Sequence, residues 1–500
     1  MRLASIKFLA LLSVFLIAAQ STFSLAQNLP SLGDTEREAL SPLMERRLGE
    51  QIMHSIRRDR DYLDDAPVTE YLNNFGSSLL AVRPEVRGEA AYDYFFFAVR
   101  DPMLNAFALP GGFIGVHSAL ILAAQNESEF ASVISHEIGH VAQRHIARML
   151  GKQRQDSLIP LAGAVLAALA ARSSPDASAA LLLGGQGMAL QRQLNFSRDA
   201  EREADRIGLQ IMKEAGFETT GMIAFFGRMQ TATRAYTDAA PVYLRSHPLT
   251  TERIADIEAR TRDQRYRQRA DSLDFHLIRA RVRVLQDPSP QGLRSANTAF
   301  EAQLQQKNRV QTAAAKYGQA FVAFKDGAYE KAQELLREAY AAAQGPSAPI
   351  QNPVLTSLGI DIKLAANEVQ EALKEADSAR AKFPLSRGIA RQYADALMAA
   401  GRYEEAVNYL RDQVQLYRQE PKLHDMLAKA YAAQGKQALL HLALAESYAL
   451  MGSMPAAIDQ LGIARRAPDA SFYDQAVIDA REREFKARWL EELKEGRQEP

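Results

Sequence analysis

The chain of 500 residues contains no cysteine. This absence excludes structural disulfides, thiol catalysis, thiolate metal ligands and a lipid-modified N-terminal cysteine. Any metal ion must therefore be bound by histidine and carboxylate side chains. Because the length exceeds that of one ordinary domain, we expect two or three domains that depend on large hydrophobic cores.

Net charge is also absent, because 60 Lys and Arg residues balance 60 Asp and Glu residues. We therefore expect no nucleic-acid partner and no strong attraction to an anionic membrane. Long apolar runs are missing as well: the stretches 158–171 and 177–190 are both shorter than the ~20 residues of a membrane span. We interpret residues 158–190 as a packed or interfacial helical hairpin, with at most peripheral membrane contact.

The first 26 residues have the pattern of an export signal. Arg2 and Lys7 supply a positive start, residues 8–19 are apolar, and Ala26 stands at a small-residue cleavage position. This order is typical of a signal peptide that is removed on export. We predict a signal peptide at 1–26 and export of the mature chain, with an uncleaved anchor as the alternative.

The central motif is His-Glu-Ile-Gly-His at residues 136–140. His136 and His140 are four residues apart, so on a helix they project from the same face. Two imidazoles in this position can bind one Zn²⁺ ion. Glu137 then lies beside the metal and can take a proton from water. The alternative is a pair of histidines on a solvated helix.

The motif is predicted to lie on a single amphipathic helix. Asn126 is a good N-cap, and Glu129 follows three residues later in a capping-box arrangement. Apolar residues recur at helical spacing as far as Ile146. Gly151 is expected to end the helix.

A third metal ligand must come from another segment, since a catalytic zinc usually has three protein ligands. On the predicted helix around residues 197–213, Glu201 and Asp205 share one face, while Glu203 points away. Glu201 can serve as a ligand, with Asp205 holding a ligand histidine in place. His145 is a rival ligand, but five residues after His140 on a continuous helix it is turned about 140° away. We expect His145 at the surface.

A short β region precedes the motif helix. Residues 92–99 read as a buried strand, and residues 105–116 read as a β segment with a turn. Pro110 cannot donate to a ladder of hydrogen bonds, which places this segment at a sheet edge. An extended substrate could pair with the edge as an added strand. The candidate edge-strand residues are Asn105, Ala106, Phe107 and Ala108.

From residue 263 the chain reads as all-helical, with a repeating period. Asn367, Gly401 and Gly435 are each 34 residues apart, which is typical of a tetratricopeptide-like helix–turn–helix unit. Asn367 can adopt the turn conformation that glycine adopts. A generic helical bundle is the alternative. The predicted domains are 27–262 for the zinc-binding domain, 263–490 for the helical repeats and 491–500 for a polar tail.

Three motifs together resemble the gluzincin metalloproteases related to HtpX and the prenyl-protein proteases. They are the zinc-helix motif with Glu201 and Asp205, the segment 105–112, and Ser246-His247-Pro248 followed by Arg253. The resemblance implies a mainly α fold: a zincin-type helical domain with a small β-sheet, followed by a solenoid of repeats. Family members in membranes have clear spans around the zinc helix, which this chain lacks, so the soluble branch is favoured.

The resemblance also implies roles for individual residues. His136, His140 and Glu201 would bind one Zn²⁺ per chain, and Glu137 would be the general base. Asp205 would hold a ligand histidine. His247 would either donate to the tetrahedral oxyanion or close the open position of the metal as a latch. Arg253 would pair with a site carboxylate or simply pin its loop.

The function implied is that of a periplasmic zinc metalloendopeptidase that hydrolyses unfolded or misassembled envelope proteins. Its repeats would bind clients or the outer-membrane assembly machinery. The alternative is a repeat-based chaperone or adaptor for outer-membrane assembly whose protease activity is latent.

Overall fold

A computed structural model describes residues 40–87, 92–151, 197–235, 243–244, 247–262, 269–306, 308–344 and 351–495. Several predictions concern other residues. The signal peptide at 1–26, the hairpin at 158–190 and Ser246 lie outside the described residues.

The described residues form a small sheet and a long series of helices, which confirms the predicted fold class. The strands are β1 (Phe95–Val99), β2 (Ala106–Leu109) and β3 (Phe113–His117). The helices of the first half are α1 (Pro42–Arg58), α2 (Ala66–Ala81), α3 (Ser118–Ala123), α4 (Glu127–Ala142), α5 (His145–Gly151), α6 (Arg198–Glu214), α7 (Thr220–Ala235) and α8 (Thr251–Thr261), with a 3₁₀ turn at Pro84–Arg87. Those of the second half are α9 (Leu273–Gln286), α10 (Pro290–Leu304), α11 (Arg309–Lys325), α12 (Tyr329–Ala343), α13 (Pro353–Ala365), α14 (Val369–Lys382), α15 (Arg387–Ala399), α16 (Tyr403–Leu416), α17 (Pro421–Ala433), α18 (Gln437–Leu450), α19 (Met454–Arg466) and α20 (Phe472–Glu495).

The sheet has the strand order β1-β3-β2. Central strand β3 pairs in parallel with β1 and antiparallel with β2. Gly111 and Gly112 have φ values of 77° and 91° in the turn between β2 and β3, a backbone conformation that glycine adopts without a steric penalty. The strand order places β2 at an edge of the described sheet, as predicted from Pro110, whereas β3, the second half of the same predicted segment, is the central strand.

Helix α4 carries the His-Glu-Ile-Gly-His motif and packs against β2 on one side. The Asn126 side chain accepts a hydrogen bond from the Glu129 backbone N–H, so the predicted N-cap is confirmed. The predicted C-terminus is wrong, because α4 ends at Ala142 and a separate helix α5 ends at Gly151. The break occurs at Arg144, whose φ is 51°.

The break in the helix is stabilised from outside the helix. The Arg144 guanidinium donates 2.6 Å hydrogen bonds to the Leu40 carbonyl and to the Glu45 carboxylate at the start of α1. Residues 141–147 contain neither glycine nor proline, so no local signal marks the break. A tertiary ion pair therefore redirects the chain immediately before His145.

The second half confirms the predicted repeat pattern. Asn367, Gly401 and Gly435 all have positive φ, at 62°, 72° and 73°, and each lies in the turn between consecutive helices. Asn367 therefore does adopt the turn conformation that glycine adopts. Consecutive helices from α15 to α19 contact one another in pairs, which is the packing expected of a solenoid.

The largest hydrophobic core extends from Leu63 to Ile362 and so crosses the predicted domain boundary at residue 262. At this junction Ser272 donates two hydrogen bonds, from its backbone N–H and its hydroxyl, to the buried Glu127 carboxylate. The first turn of α4 is thus bound to the N-cap of α9, the first helix after the boundary. The domain boundaries themselves stay a prediction.

The last helix extends into the segment predicted as a tail. Helix α20 continues to Glu495, so it includes the first half of the segment 491–500 that the sequence predicts as a polar tail.

None of the helices in the described ranges combines the length and the apolar character that crossing a bilayer requires.

Candidate metal centre

Helices α4 and α6 bring three predicted ligands to one point. His136 Nε2 lies 3.0 Å from His140 Nε2 and 3.5 Å from Glu201 Oε2, and His140 Nε2 lies 3.4 Å from Glu201 Oε1. Donor atoms of a tetrahedral zinc with bonds of about 2.0–2.1 Å lie about 3.3 Å apart. The three donors therefore have the mutual spacing that a single zinc ion requires.

His247 adds a fourth donor to this cluster. Its Nδ1 is 3.3 Å from His136 Nε2 and 2.9 Å from Glu201 Oε1. One donor atom from each of the four side chains lies within 4.8 Å of all the others. All four residues are buried, so the cluster is enclosed rather than part of a solvated acidic surface.

Glu137 stands beside the cluster without contributing a donor. The residue is 0% exposed, and within the described residues neither of its carboxylate oxygens accepts a hydrogen bond of normal geometry. Its nearest polar neighbours are His247 Nε2, 3.6 Å from Glu137 Oε1, and the Ala108 backbone. A buried carboxylate that accepts no hydrogen bond is costly. A bound cation with its water would satisfy these oxygens, so the donor set and this carboxylate both fit a metal ion.

A buried ion pair supports His136 from behind. Its Nδ1 is 2.9 Å from Asp205 Oδ1, an arrangement that orients a ligand histidine and raises its basicity. Arg253 donates to both Asp205 oxygens at 2.7 and 2.8 Å. It also lies 2.7 Å from Glu201 Oε2 and donates to the Pro248 carbonyl. Arg253 therefore both pairs with site carboxylates and pins the loop that carries His247.

The electrostatic balance keeps two of the carboxylates ionised. Burial by itself raises the pKa of Glu201, but His247, His136 and His140 hold this pKa well below its usual range. Burial likewise raises the pKa of Asp205, and Arg253 with His136 outweighs that effect and lowers it. Both groups are therefore anionic at neutral pH.

The carboxyl of Glu137 behaves in the opposite way. Burial raises its pKa, although nearby His247 and His136 act against that effect. A raised pKa brings a carboxylate closer to the operating pH, which favours proton transfer in both directions. This is the property that a general base needs when it must also release its proton.

The expectation that His145 lies at the surface is wrong. The residue is 3% exposed, and its Nδ1 is 2.8 Å from the Nδ1 of His140. Burial lowers its pKa to about 4. The prediction assumed a continuous helix, and the break at Arg144 turns the imidazole back toward α4. Glu203 stays outside the four-donor cluster, as predicted, but it accepts a hydrogen bond from His145 at 3.0 Å.

The edge strand lies against the motif helix. Ala106 and Ala108 face the main core that contains α4, whereas Phe107 packs on the opposite face of the sheet, over Gly115. Asn105 is buried just before the strand, and its carbonyl accepts a hydrogen bond from the His117 backbone. The candidate edge-strand residues therefore flank the centre without entering the donor cluster.

Two glycines allow α4 and α6 to approach each other closely, a feature that the sequence did not reveal. A Cβ added at Gly139 would lie 2.9 Å from the Ala204 carbonyl oxygen and 3.0 Å from its Cα. A Cβ at Gly208 would lie 3.1 Å from the His136 backbone nitrogen. This backbone contact sets the distance between the helix of the two histidines and the helix of Glu201.

We predict that Gly139→Ala separates the two helices. The neighbour is backbone, which cannot move aside easily, so overpacking should destabilise the protein by about 1–3 kcal/mol and weaken zinc binding. The matched control is Gly227→Ala in α7, where a Cβ would meet nothing within 4 Å. At this position the higher helix propensity of alanine should stabilise the protein by about 0.5–1 kcal/mol. Urea unfolding and zinc titration of both variants test this, and equal effects would contradict it.

The donor cluster, with the buried Glu137 carboxylate beside it, fits the centre of a metallopeptidase. The model of peptidase family M48 matches residues 77–261, and the chain belongs to this family.

Relatives with curated names support the assignment over nearly the whole chain. The β-barrel assembly-enhancing protease of Escherichia coli (strain K12) is 31% identical over 456 residues, 91% of this chain and 91% of that protein. The protein of the same name from Yersinia pestis is 30% identical over 453 residues, 91% and 90% of the two chains. The mitochondrial metalloendopeptidase OMA1 of Schizosaccharomyces pombe is 32% identical over 192 residues, 38% of this chain and 52% of that protein.

Proposed function

We propose that this metallopeptidase is a periplasmic zinc endopeptidase that cleaves unfolded or misassembled envelope proteins. The single observation that carries the proposal is the buried four-donor cluster beside the Glu137 carboxylate, whose oxygens accept no hydrogen bond of normal geometry. The export signal predicted at residues 1–26 supports the periplasmic location. The relatives named β-barrel assembly-enhancing proteases support a role in outer-membrane protein assembly.

The proposed chemistry is hydrolysis of a peptide bond. His136, His140 and Glu201 would hold the zinc ion, which when bound polarises a scissile carbonyl and makes water more acidic. Glu137 takes the proton of the attacking water and passes it to the leaving amine. Asp205 and Arg253 keep His136 in the orientation that directs its Nε2 to the ion.

His247 is proposed to act as a latch rather than as an oxyanion donor. Its Nδ1 lies within 3.3 Å of two other donors, and a catalytic zinc needs one open position for water or substrate. With His247 as the fourth ligand, that position would be closed to water and substrate. The loop would have to withdraw before a substrate could be cleaved.

We predict that His247→Ala raises the hydrolysis of a short fluorogenic peptide and weakens zinc binding. If the open state holds about 10% of the molecules, removal of the latch gives about a tenfold rise in activity. The rate per bound zinc is the quantity to measure. A fall in that rate would contradict the latch and would favour the role in which His247 donates to the oxyanion.

Two features of the structure support the proposed substrate class and the proposed role of the repeats. Edge strand β2 can pair with an extended peptide, which excludes segments already folded into a sheet or helix. Repeat helices and protease elements line a half-open cavity of about 960 Å³, with Tyr62, Phe95, Arg391 and Glu420 among its lining residues; neither the donor cluster nor β2 lines it. We propose that the repeats hold clients, or the outer-membrane assembly machinery, beside the catalytic domain.

The second candidate function is a chaperone or adaptor with latent protease activity. The closed donor cluster with His247 favours it, because a latched enzyme can bind clients without cutting them. Both functions can exist in one protein. Suppression of aggregation without cleavage, by the intact protein under all conditions, would support this second function.

The proposed function is tested with an outer-membrane β-barrel protein presented in unfolded and folded form. We expect about one zinc per chain, cleavage of the unfolded form only, loss of cleavage with a chelator and recovery with zinc. Zinc-free protein that cleaves equally well would contradict the metal mechanism. Equal cleavage of the folded barrel would contradict the proposed substrate class.

A further inference from the structure

A second histidine lies directly behind the candidate ligand His140. The two Nδ1 atoms of His140 and His145 are 2.8 Å apart, while His140 Nε2 points to the other donors of the cluster. Beyond it, His145 Nε2 is 3.0 Å from Glu203 Oε2, and Arg148 donates to the same oxygen at 2.8 Å. Four side chains thus form a line from the cluster to the surface.

When His140 binds a metal, only one assignment of the imidazole protons is compatible with this line of hydrogen bonds. A histidine that binds a metal through Nε2 carries its proton on Nδ1, so His140 is the donor of the first hydrogen bond. His145 must then accept at Nδ1 and carry its own proton on Nε2. That proton is donated to Glu203, an acceptor that is held in place by Arg148.

The arrangement parallels the support of the other ligand histidine. His136 donates from Nδ1 to the Asp205 carboxylate at 2.9 Å, and Arg253 fixes that carboxylate. Behind His136 the acceptor is a carboxylate that an arginine fixes. Behind His140 the acceptor is the His145 imidazole, which stands between this ligand and the Glu203 carboxylate that Arg148 fixes.

We propose that His145 is a positioning residue for the ligand His140, and that it fixes the tautomer and the ring orientation that direct His140 Nε2 to the metal. This inference rests on the proposed zinc site. His145 reaches this place because Arg144 breaks the helix with a positive φ, so the residue faces α4 rather than solvent. The acceptor at Nδ1 is the property that matters, since partners of ligand histidines contribute about 10- to 100-fold to metal affinity.

The test is zinc affinity of the full chain, measured by competition with a chromophoric chelator, together with the absorption spectrum of the Co²⁺-substituted protein. His145→Leu removes the acceptor and should weaken zinc binding by about 10- to 100-fold. His145→Asn keeps an acceptor oxygen close to the position of Nδ1 and should recover most of the affinity. The Co²⁺ spectrum should change in the leucine variant and resemble the parent in the asparagine variant.

His117 supplies the matched control. It is a second buried histidine of the same part of the chain, with Nδ1 3.0 Å from the Met103 carbonyl and no place in the donor cluster. His117→Leu should change stability without changing zinc affinity. Equal losses of affinity in the two leucine variants would overturn the proposal, because the effect would then be one of folding.

The remaining outcomes also decide the question. A folded His145→Leu variant that binds zinc as tightly as the parent overturns this inference and leaves the proposed function standing. A parent protein that binds no zinc overturns both. Should the leucine variant be insoluble, a folded His145→Asn variant with an affinity loss above about tenfold overturns the role of the acceptor.

Discussion

Glu137→Gln should abolish proteolysis while the protein keeps its fold and its metal. The amide cannot accept the proton of water, and general-base catalysis by a positioned side chain contributes about 100- to 10,000-fold. Zinc content should be unchanged because Glu137 supplies no donor to the cluster. Stability should not fall, because the substitution removes a buried carboxylate that accepts no hydrogen bond of normal geometry.

The same helix offers a control for this variant. Glu129 is also buried, but it pairs with Arg228 in the first turn of α4, away from the donor cluster. Glu129→Gln should lower stability and leave the rate per bound zinc unchanged. Activity is measured with unfolded casein and zinc by atomic absorption. A Glu137→Gln variant that loses its zinc would show instead that this residue holds the metal.

Arg253→Met should lower the free energy of unfolding more than any of the other substitutions. Arg253 is 2% exposed and lies against two buried carboxylates, Asp205 and Glu201. Removing one partner from a buried ion pair costs about 3–5 kcal/mol because the remaining charge is uncompensated. The Arg253 guanidinium lies 5.4 Å from the centre of the Phe226 ring; methionine fills a similar volume beside this ring, so the variant chiefly removes the charge.

The control is Arg260→Met on the same helix α8. Arg260 forms a partly exposed pair with Asp256 at 2.8 Å, and such pairs contribute about 0–1 kcal/mol. Urea unfolding of metal-free protein compares the two variants, and zinc titration follows. Arg253→Met should also bind zinc more weakly, since Asp205 is no longer fixed behind His136. Similar unfolding midpoints for both variants would refute the charge argument.

Much of the site could be predicted because its parts are local. The spacing of His136 and His140 places both on one face of any α-helix, and Glu201 and Asp205 follow the same rule on α6. Pro110 placed the strand that precedes it at a sheet edge because it lacks a backbone N–H. Each of these inferences needs only the geometry of one element.

Other parts could not be predicted because they depend on contacts between elements. Gly139 reads as an unremarkable residue inside the motif, and only the backbone of Ala204 beside it gives the position its importance. Arg253 had two open roles, and the structure shows both, since its guanidinium reaches site carboxylates and the carbonyl of Pro248. Long side chains have too many conformers for sequence spacing to choose among them.

The amino-acid sequence by itself determined the chemistry of this protein: the donor types, their pairing along each helix and the 34-residue repeat. Only the tertiary structure decided that His145 stands behind His140 and that His247 enters the donor cluster. The physical reason is that helical periodicity relates residues only while the helix continues. The break at Arg144 is caused by a partner on α1, about 100 residues earlier in the chain.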